Sequence, residues 1–323
     1  MTSERGQPKR ILFITSNRLG DAILSTAVLA HFIDQNPGAE ITLVCGKVPA
    51  PLFRAVPGII ETVPVEKEAL SLHWLKAYTH LFGKKWDLMI DLRNVGIMRL
   101  LPAGKRVIGG AAAFRGHKLE EYASLLGSTE IPPPVIWLDE QANSDAEPFI
   151  PSGSDALPGP IIALGATTGP KRKRWRPENY AAVVKGLAGP KGILPGATIV
   201  LFGAPNERDQ ADAIIKLLPD QTIIDMVGKT DVLATAAALA RCSLFVGVDS
   251  GLMHLAAALD VATLGIFGEH GEPQTYRPWG SHVAHVHRRN ADWTWEDRPS
   301  AMDGIKPDEV IKAVEELAKR AGL

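Results

Sequence analysis

Three short segments of the sequence combine residue types that could bind phosphate groups, bind sugar hydroxyls or accept a proton. Asp249, Ser250 and Gly251 stand between an apolar, β-branched run and a segment with apolar residues at helical spacing, which predicts a strand-to-helix turn. Backbone N–H groups at the start of a helix lack intrahelical partners and attract anions. Ser250 and Gly251 are therefore candidate phosphate ligands, and the carboxylate of Asp249 suits sugar hydroxyls. An ordinary helix N-cap would use the same residue types.

The second segment places a carboxylate at the start of the first predicted helix. Asp21 follows Gly20, a few residues after the first predicted strand. A carboxylate that is ionised at neutral pH can act as a general base toward a hydroxyl, and Gly20 keeps the approach to it open. The simpler alternative is an acidic residue that stabilises the N-terminus of its helix.

Hydroxyl groups and cations follow another predicted strand, at residues 161–166. Thr167 and Thr168 precede a basic run that extends from Lys171 to Arg176. Such a set suits a pyrophosphate, although only one or two of the cations are expected to reach it. Trp175, inside this run, is predicted to be a packing anchor rather than a platform for a nucleotide base.

These segments lie in a chain whose predicted strands and helices alternate from end to end. The predicted strands are 10–15, 41–45, 59–65, 87–92, 106–109, 161–166, 198–203, 222–227, 244–248, 262–267 and 282–287. The predicted helices are 21–35, 68–81, 118–126, 177–187, 206–218, 231–240 and 308–319. A segment rich in Pro, Ser, Asp and Gly, between residues 127 and 160, indicates an interdomain connection. The pattern predicts an α/β protein with two doubly wound, Rossmann-like domains that face a central cleft.

Composition narrows the class of protein. A net charge of −1 and a pI near 6.8 argue against a nucleic-acid partner. Cys45 and Cys242 lie in apolar surroundings, which is typical of buried free thiols in a reducing compartment. The short apolar run at 11–14 is predicted to be a strand rather than a signal peptide or membrane span. A cytoplasmic location is therefore expected.

Several common motifs do not occur. The first turn has no G-x-G-x-x-G dinucleotide fingerprint, and the first glycine of a P-loop ending at 228–230 would fall at Ile223. No G-x-S-x-G elbow is present, and no close set of His, Cys and carboxylates predicts a metal site. His282, His285 and His287 are expected on an exposed strand. We therefore expect neither a metal nor another cofactor.

The order and spacing of the motifs resemble those of glycosyltransferase family 9, the bacterial lipopolysaccharide heptosyltransferases, which have the two-domain GT-B fold. The resemblance spans nearly the whole chain and rests on residues 18–21, 86–94, 105–109, 117–122, 167–175, 249–259 and 302–310. It implies an inverting, metal-independent transfer of a heptose from a nucleotide-activated donor, typically ADP-heptose, to a sugar of the lipopolysaccharide inner core. The implied domains are 1–150 for the acceptor, 151–305 for the nucleotide-sugar donor, and a C-terminal helix at 306–323 that could pack back on the first domain.

Roles follow by position within this resemblance. Asp21 would deprotonate the acceptor hydroxyl, and Lys173 would neutralise the departing pyrophosphate. The implied donor-binding residues are Thr167, Thr168, Arg174, Asp249, Ser250, Gly251 and His254, although His254 could equally be a packing residue. The expected acceptor-binding residues are Gly20, Arg93 and His117. Whether Lys173 or Arg174 contacts the pyrophosphate stays open.

The chain departs from the usual pattern of this family at two places. Gly268, Glu269 and His270 stand where such enzymes commonly have G-P-T, and Ala301 stands where many relatives have a cysteine.

Positive charge in the first domain could dock an anionic glycan acceptor; it comes from Arg93, Arg99, Lys105, Arg106, Arg115, His117 and Lys118. No amphipathic membrane anchor stands out, and peripheral contact with the inner membrane is left open.

Two other classes of function fit part of the pattern. A nucleotide-sugar epimerase or another GT-B enzyme would share the two-domain cleft and the pyrophosphate site, but would not need Asp21 to activate an acceptor. A non-catalytic nucleotide-sugar binding module would bind donors and transfer nothing. The sequence does not specify the sugar, the nucleotide, the acceptor or the oligomeric state.

Overall fold

The computed structural model describes residues 8–110, 114–153, 157, 159–268, 272–288, 302 and 304–323. The chain divides into two compact units, Met1–Trp137 and Leu138–Leu323. Each unit is built around one parallel β-sheet. The alternation of strands and helices in the sequence therefore becomes two separate Rossmann-like units, and the predicted α/β class is confirmed.

The first unit has five parallel strands in the order β3-β2-β1-β4-β5. Its elements are β1 (Arg10–Ile14), α1 (Leu19–Gln35), β2 (Glu40–Gly46), β3 (Ile59–Val65), α2 (Leu72–Leu81), β4 (Trp86–Asp91), β5 (Ala103–Ile108) and α3 (Lys118–Leu126). The chain moves outward from β1 to β3 and then crosses back to β4. Because such crossovers are right-handed, α1 and α2 lie on opposite faces of the sheet. The reversal of direction creates a switch point between β1 and β4, where open α/β sheets bind ligands.

The second unit has six parallel strands in the order β11-β10-β9-β6-β7-β8, which is the classic Rossmann order. Its strands are β6 (Ile161–Gly165), β7 (Thr198–Leu201), β8 (Ile223–Asp225), β9 (Leu244–Val248), β10 (Ala262–Phe267) and β11 (Val283–His287). Its helices are α4 (Glu140–Ala146), α5 (Pro177–Ala188), α6 (Arg208–Lys216), α7 (Val232–Leu239), α8 (Gly251–Ala258), α9 (Pro273–Tyr276) and α10 (Pro307–Ala321). The switch point of this sheet lies between β6 and β9.

Two glycines face each other at the second switch point. Gly165 on β6 pairs with Gly247 on β9. A Cβ atom on Gly165 would come within 2.4 Å of the Phe245 ring, and one on Gly247 would come within 2.7 Å of the Gly165 carbonyl oxygen. Real Cβ atoms cannot approach so closely, so both positions require glycine for the two strand ends to pack as they do.

The segment between the two sheets contains a helix that sequence reasoning missed. Helix α4 is short and polar, so it carries no apolar periodicity, but Asp139 caps it by accepting a 2.7 Å hydrogen bond from the Ala142 N–H. This helix packs against α7, and Arg241, just after the end of α7, donates to Glu147 and to the Asn143 carbonyl. The expected boundary lay at residue 150, whereas residues from Leu138 onward group with the second unit.

The last helix of the chain packs within the second unit. Helix α10 contacts α5, β10 and β11. Its buried side chains are Val310, Val314, Leu317 and Ala318, which recur at helical spacing. The first three join the core formed by β6, β7 and β9.

Both cysteines are buried free thiols, as predicted. Cys45 lies on β2 and Cys242 lies just before β9. Burial raises the pKa of the Cys45 thiol to about 12, which keeps it in the unreactive neutral form. Within the described part of the chain, no helix combines the length and the apolar character needed to cross a membrane.

Candidate active site

The switch point of the second unit is bridged by an ion pair. Lys173 lies in a 3-10 turn after β6, and Asp249 directly follows β9. The Lys173 ammonium donates a 2.6 Å hydrogen bond to Asp249 Oδ2 and a 3.1 Å hydrogen bond to the Asp249 main-chain oxygen. Because an ammonium group has three N–H donors, one donor is left for a ligand. The pair is partly shielded, with 31% of the Lys173 side chain and 15% of the Asp249 side chain exposed.

The start of α8 lies next to this ion pair. Ser250 is the N-cap residue, but its side chain does not cap the helix, and its buried Oγ has no hydrogen-bond partner among the described residues. Gly251 is the first helical residue, and no acidic side chain lies in the first turn. The positive end of the helix dipole and its N–H groups are therefore not neutralised by a carboxylate of their own helix.

His254 lies one turn further along α8. It is 4% exposed, and its ring meets the Tyr276 ring edge-on at 6.5 Å. The burial of His254 and its contact with Tyr276 therefore support the alternative that this residue packs the helix.

Thr167 and Thr168 line the loop after β6, and both are buried. Thr167 Oγ1 donates a 2.6 Å hydrogen bond to Glu207 Oε2, so its proton is directed at that carboxylate. The main chain of Thr168 exchanges two 3.2 Å hydrogen bonds with the side-chain amide of Gln210, while its hydroxyl makes no hydrogen bond to the described residues. Thr168 therefore offers a hydroxyl that is available to a ligand.

Arg174 turns away from the ion pair. Its Nε donates to the Thr168 carbonyl at 3.2 Å, and its guanidinium lies 3.6 Å from Asp209. The neighbouring Trp175 is 3% exposed and donates its indole N–H to the Ile305 carbonyl at 3.2 Å, which confirms the predicted packing role. Within the basic run, the described contacts bring Lys173, and not Arg174, to Asp249.

The switch point of the first unit presents a carboxylate without a cation. Asp21 lies in the first turn of α1, immediately after Gly20. Ser16 Oγ accepts a 3.1 Å hydrogen bond from the Arg18 N–H and donates a 3.2 Å hydrogen bond to Asp21 Oδ2. No basic side chain among the described residues pairs with Asp21. Ser16 fixes one carboxylate oxygen, and the other is left to accept a proton.

The other strand at this switch point ends in a second aspartate. Asp91 is fully buried, and its carboxylate accepts hydrogen bonds from the N–H groups of Arg93 and Val95. Burial raises the pKa of Asp91, and these hydrogen bonds oppose the rise. The side chain of Arg93 points to solvent.

His117 has a structural partner at the start of α3. It is 0% exposed, and its Nδ1 accepts a 3.2 Å hydrogen bond from the Leu119 N–H, while Glu120 accepts from the His117 N–H. This is a capping box in which a histidine takes the place of the usual Ser or Thr. Its predicted role in acceptor binding would have to be exerted from a buried position.

Some predictions fall outside the described residues or on unexpected partners. Glu269, His270 and Ala301 lie outside the described residues. Lys229, in the segment that resembled the tail of a P-loop, pairs with Asp225 at 3.0 Å. Among the described residues, no group of three or more His, Cys, Asp and Glu side chains is arranged to hold a metal ion.

Sequence reasoning missed the residues that hold the site together. Ser16, Glu207 and Gln210 each bind a candidate site residue. Glu207 directly precedes α6, and Gln210 lies in the first turn of that helix. Both come about 40 positions after the loop they hold, so no local pattern links them to it. Ser16 does have a local signal, since it lies five residues before Asp21 across a strand-to-helix turn.

Two Rossmann-like units, one with a carboxylate and the other with a cation and a helix N-terminus at its switch point, agree with the GT-B class that the sequence resembles. A family model supports this assignment. The model for "Glycosyltransferase family 9 (heptosyltransferase)" matches residues 112–303, and this chain belongs to that family.

Individual relatives extend the match over nearly the whole chain. The chain is 25% identical over 357 residues to "Lipopolysaccharide heptosyltransferase 2" of Salmonella typhimurium, covering 97% of this chain and 100% of the relative. A family 9 glycosyltransferase structure from Veillonella parvula superposes with a TM-score of 0.75 at 21% identity and covers 96% of this chain and 97% of that one. The structure of E. coli ADP-heptose lps heptosyltransferase II superposes with a TM-score of 0.74 at 20% identity and covers 97% of this chain and 100% of that one. The GT-B fold expected from the sequence is confirmed.

Proposed function

We propose that this protein transfers a heptose from ADP-heptose to a sugar of the lipopolysaccharide inner core, with inversion at the anomeric carbon. The observation that carries the proposal is the Lys173–Asp249 pair beside the uncapped start of α8. Together these groups offer a cation and N–H donors for a pyrophosphate, and a carboxylate oxygen for sugar hydroxyls. The names of the relatives supply the sugar, the nucleotide and the acceptor.

The second unit binds the donor in this proposal. The third N–H of the Lys173 ammonium, the N–H of Gly251 and the hydroxyls of Ser250 and Thr168 contact the pyrophosphate. Asp249 accepts hydrogen bonds from hydroxyls of the heptose. Thr167 and Arg174 shape the loop after β6, and His254 supports α8 from its buried side.

The first unit supplies the base. Asp21 takes the proton from the acceptor hydroxyl as its oxygen attacks the anomeric carbon. The bond from that carbon to the phosphate oxygen breaks, and ADP leaves with the electron pair. Lys173 and the N-terminus of α8 stabilise the charge that develops on the leaving phosphate, as preorganised cations and N–H donors do in other transferases. These fixed groups perform the charge neutralisation without a metal.

The acceptor is held near Asp21 by the first unit. Gly20 lets the sugar approach the turn, and the exposed Arg93 provides a positive charge for an anionic group of the inner core. His117 acts indirectly, because its ring caps α3, which packs against α1.

Ligand-induced thermal stabilisation tests the proposal. The purified protein is melted alone and with ADP-, UDP-, GDP- and dTDP-sugars, ADP-heptose among them. A ligand at about 100 times its Kd adds roughly 2.7 kcal/mol to the free energy of unfolding. We expect selective stabilisation by ADP-heptose, followed by transfer to a heptose-deficient lipopolysaccharide core. Selective stabilisation by another nucleotide sugar would show that the donor is that nucleotide sugar and not ADP-heptose. Binding without transfer to any acceptor would favour a non-catalytic module.

A further inference from the structure

Helix α2 of the first unit is apolar on two opposite sides. His73, Ala77 and Leu81 recur at helical spacing and are buried against the sheet. Leu72 and Leu75 lie on the other side of the helix, where 43% and 46% of their surfaces are exposed. A helix that only covers a sheet needs one apolar stripe, so the second stripe calls for a different explanation.

Neighbouring residues enlarge this exposed apolar side. Leu70, in the turn before α2, is 94% exposed, and Phe82, just after α2, is 69% exposed. Leu100, which is 71% exposed, ends a 3-10 turn that packs against α2. We call Leu70, Leu72, Leu75, Phe82 and Leu100 the α2 surface. Five of the nine large apolar side chains that are exposed in the described residues belong to it.

The turn that presents Leu70 has an unusual backbone. Leu70 and Ser71 have φ values of 52° and 58°, and neither is glycine. Residues other than Gly, Asn and Asp rarely adopt this left-handed backbone conformation. The turn therefore holds a leucine almost fully in solvent at a conformational cost, instead of folding it onto the sheet.

Aromatic and basic side chains border the α2 surface. Trp74 and Tyr78, one turn apart on α2, are half-buried, and the Tyr78 ring lies 5.9 Å from the Phe82 ring. Trp and Tyr are enriched where an apolar phase meets water. Cations stand beside the apolar residues in the sequence: Lys76 follows Leu75, Lys84 and Lys85 follow Phe82, and Arg99 precedes Leu100.

The charge of this region differs from that of the whole chain. Residues 69–106 contain seven Lys and Arg but two Asp, whereas the chain has a net charge of −1. Of those two aspartates, Asp91 is fully buried. Glu68 and Glu61, on the preceding segment, pair with Lys76 and Lys84. Lys85 and Arg93 are exposed and make no ion pair among the described residues.

We propose that the α2 surface docks this protein on an anionic phospholipid bilayer, with Leu70, Leu72, Leu75, Phe82 and Leu100 entering the headgroup region. The flanking cations face lipid phosphates, and Trp74 and Tyr78 lie at the boundary between apolar and polar layers. The inference deepens the proposed function, because docking would bring the first unit to a glycan acceptor that is carried by a lipid.

Vesicle co-sedimentation tests this surface without donor or acceptor. Wild-type protein is mixed with vesicles of phosphatidylethanolamine and phosphatidylglycerol, and in parallel with phosphatidylcholine vesicles. The test variant carries Leu75→Ser and Phe82→Ser. The matched control carries Val48→Ser and Ile60→Ser, which replace residues that are 64% and 61% exposed outside the α2 surface. Ile60 alternates along β3 with Glu61, which faces α2 through its contacts with His80 and Lys84, so Ile60 points to the other face of the sheet.

We expect wild type and control to bind the anionic vesicles, less so at high salt, and the test variant to bind at least about tenfold more weakly. Unchanged melting temperatures would show that both variants fold. Equal binding by the test variant and the control, or no binding by wild type, would overturn the proposal. So would a wild-type dimer that becomes monomeric in the test variant and never sediments with vesicles, because a second copy would then cover this surface. Failure of ADP-heptose to stabilise the protein would reject the proposed donor and leave this result unaffected.

Discussion

The two switch points share one scaffold and differ in where their charge lies. In the first unit β1 pairs with β4, and in the second unit β6 pairs with β9. An aspartate lies at the carboxyl end of β4 and of β9: Asp91 in the first unit and Asp249 in the second. The Asp91 carboxylate accepts hydrogen bonds from the N–H groups of its own loop. Asp249 is instead bound to Lys173, which comes from the neighbouring strand's loop.

The helix starts show the same contrast. The N-terminus of α1 already has the Asp21 carboxylate in its first turn, whereas α8 has no acidic residue there. Anions are stabilised at a helix N-terminus. In α1 the anion is the helix's own Asp21 carboxylate, whereas in α8 the position is left for an anionic group of a ligand. The same fold can therefore present the proposed base in one unit and the proposed anion site in the other, because a few loop residues differ.

The largest effect is expected from removing the base. Asp21→Asn keeps the size and the hydrogen bond from Ser16 but cannot accept the proton of the acceptor. We expect kcat to fall by about 100-fold or more, with donor-induced thermal stabilisation unchanged. Asp34→Asn, on an exposed position of the same helix, is the matched control and should keep full activity. An equal loss of donor binding in Asp21→Asn would show that this carboxylate belongs to the donor site.

A smaller effect is expected from removing the cation of the second unit. Lys173→Gln leaves Asp249 without its partner and next to the pyrophosphate. We expect donor Kd, measured by calorimetry, to rise roughly tenfold or more, in the range of a lost charge-assisted hydrogen bond. Lys171→Gln alters an exposed residue of the same 3-10 turn and should leave Kd unchanged. Unaltered affinity in Lys173→Gln would redirect the role to Arg174.

The smallest effect is expected from removing the hydrogen bond that positions Asp21. Ser16→Ala removes the hydroxyl that holds one oxygen of Asp21. We expect kcat to fall about fivefold, the equivalent of one hydrogen bond, while the KM for the donor stays the same. In the Asp21→Asn background the same change should cause no further loss, because both residues act through one carboxylate. Additive losses in the double variant would show that Ser16 acts through the fold alone.

Much of the fold could be predicted because its signals are local. Helix α3 was predicted at 118–126 and is found at Lys118–Leu126, since Glu120 completes its capping box and Gly127, at φ 66°, ends it. Helix α4 was missed because it is short and polar and is stabilised by Arg241, about 90 to 100 residues later in the chain. Signals of that range are not visible in a local pattern.

The site could be predicted in residue type but not in detail. The basic run indicated an anion site, yet four successive cations gave no reason to prefer one of them. The 3-10 turn at Lys171–Lys173 decides the direction, because it aims Lys173 at Asp249 while Arg174 turns back to the Thr168 carbonyl. The exposed side of α2 was also missed, since apolar residues on both sides of a helix give a weak amphipathic signal.

The hydrogen bond between Trp175 and Ile305 has a consequence for synthesis on the ribosome. It ties the segment that carries Lys173 to the residues just before α10, across a sequence separation of 130 residues. A contact of this range can form only after the later segment has emerged, and closing such a loop is slow compared with local helix formation. The nascent chain therefore assembles its first sheet well before the indole can anchor the basic segment, and the proposed donor site is completed as one of the last steps of folding.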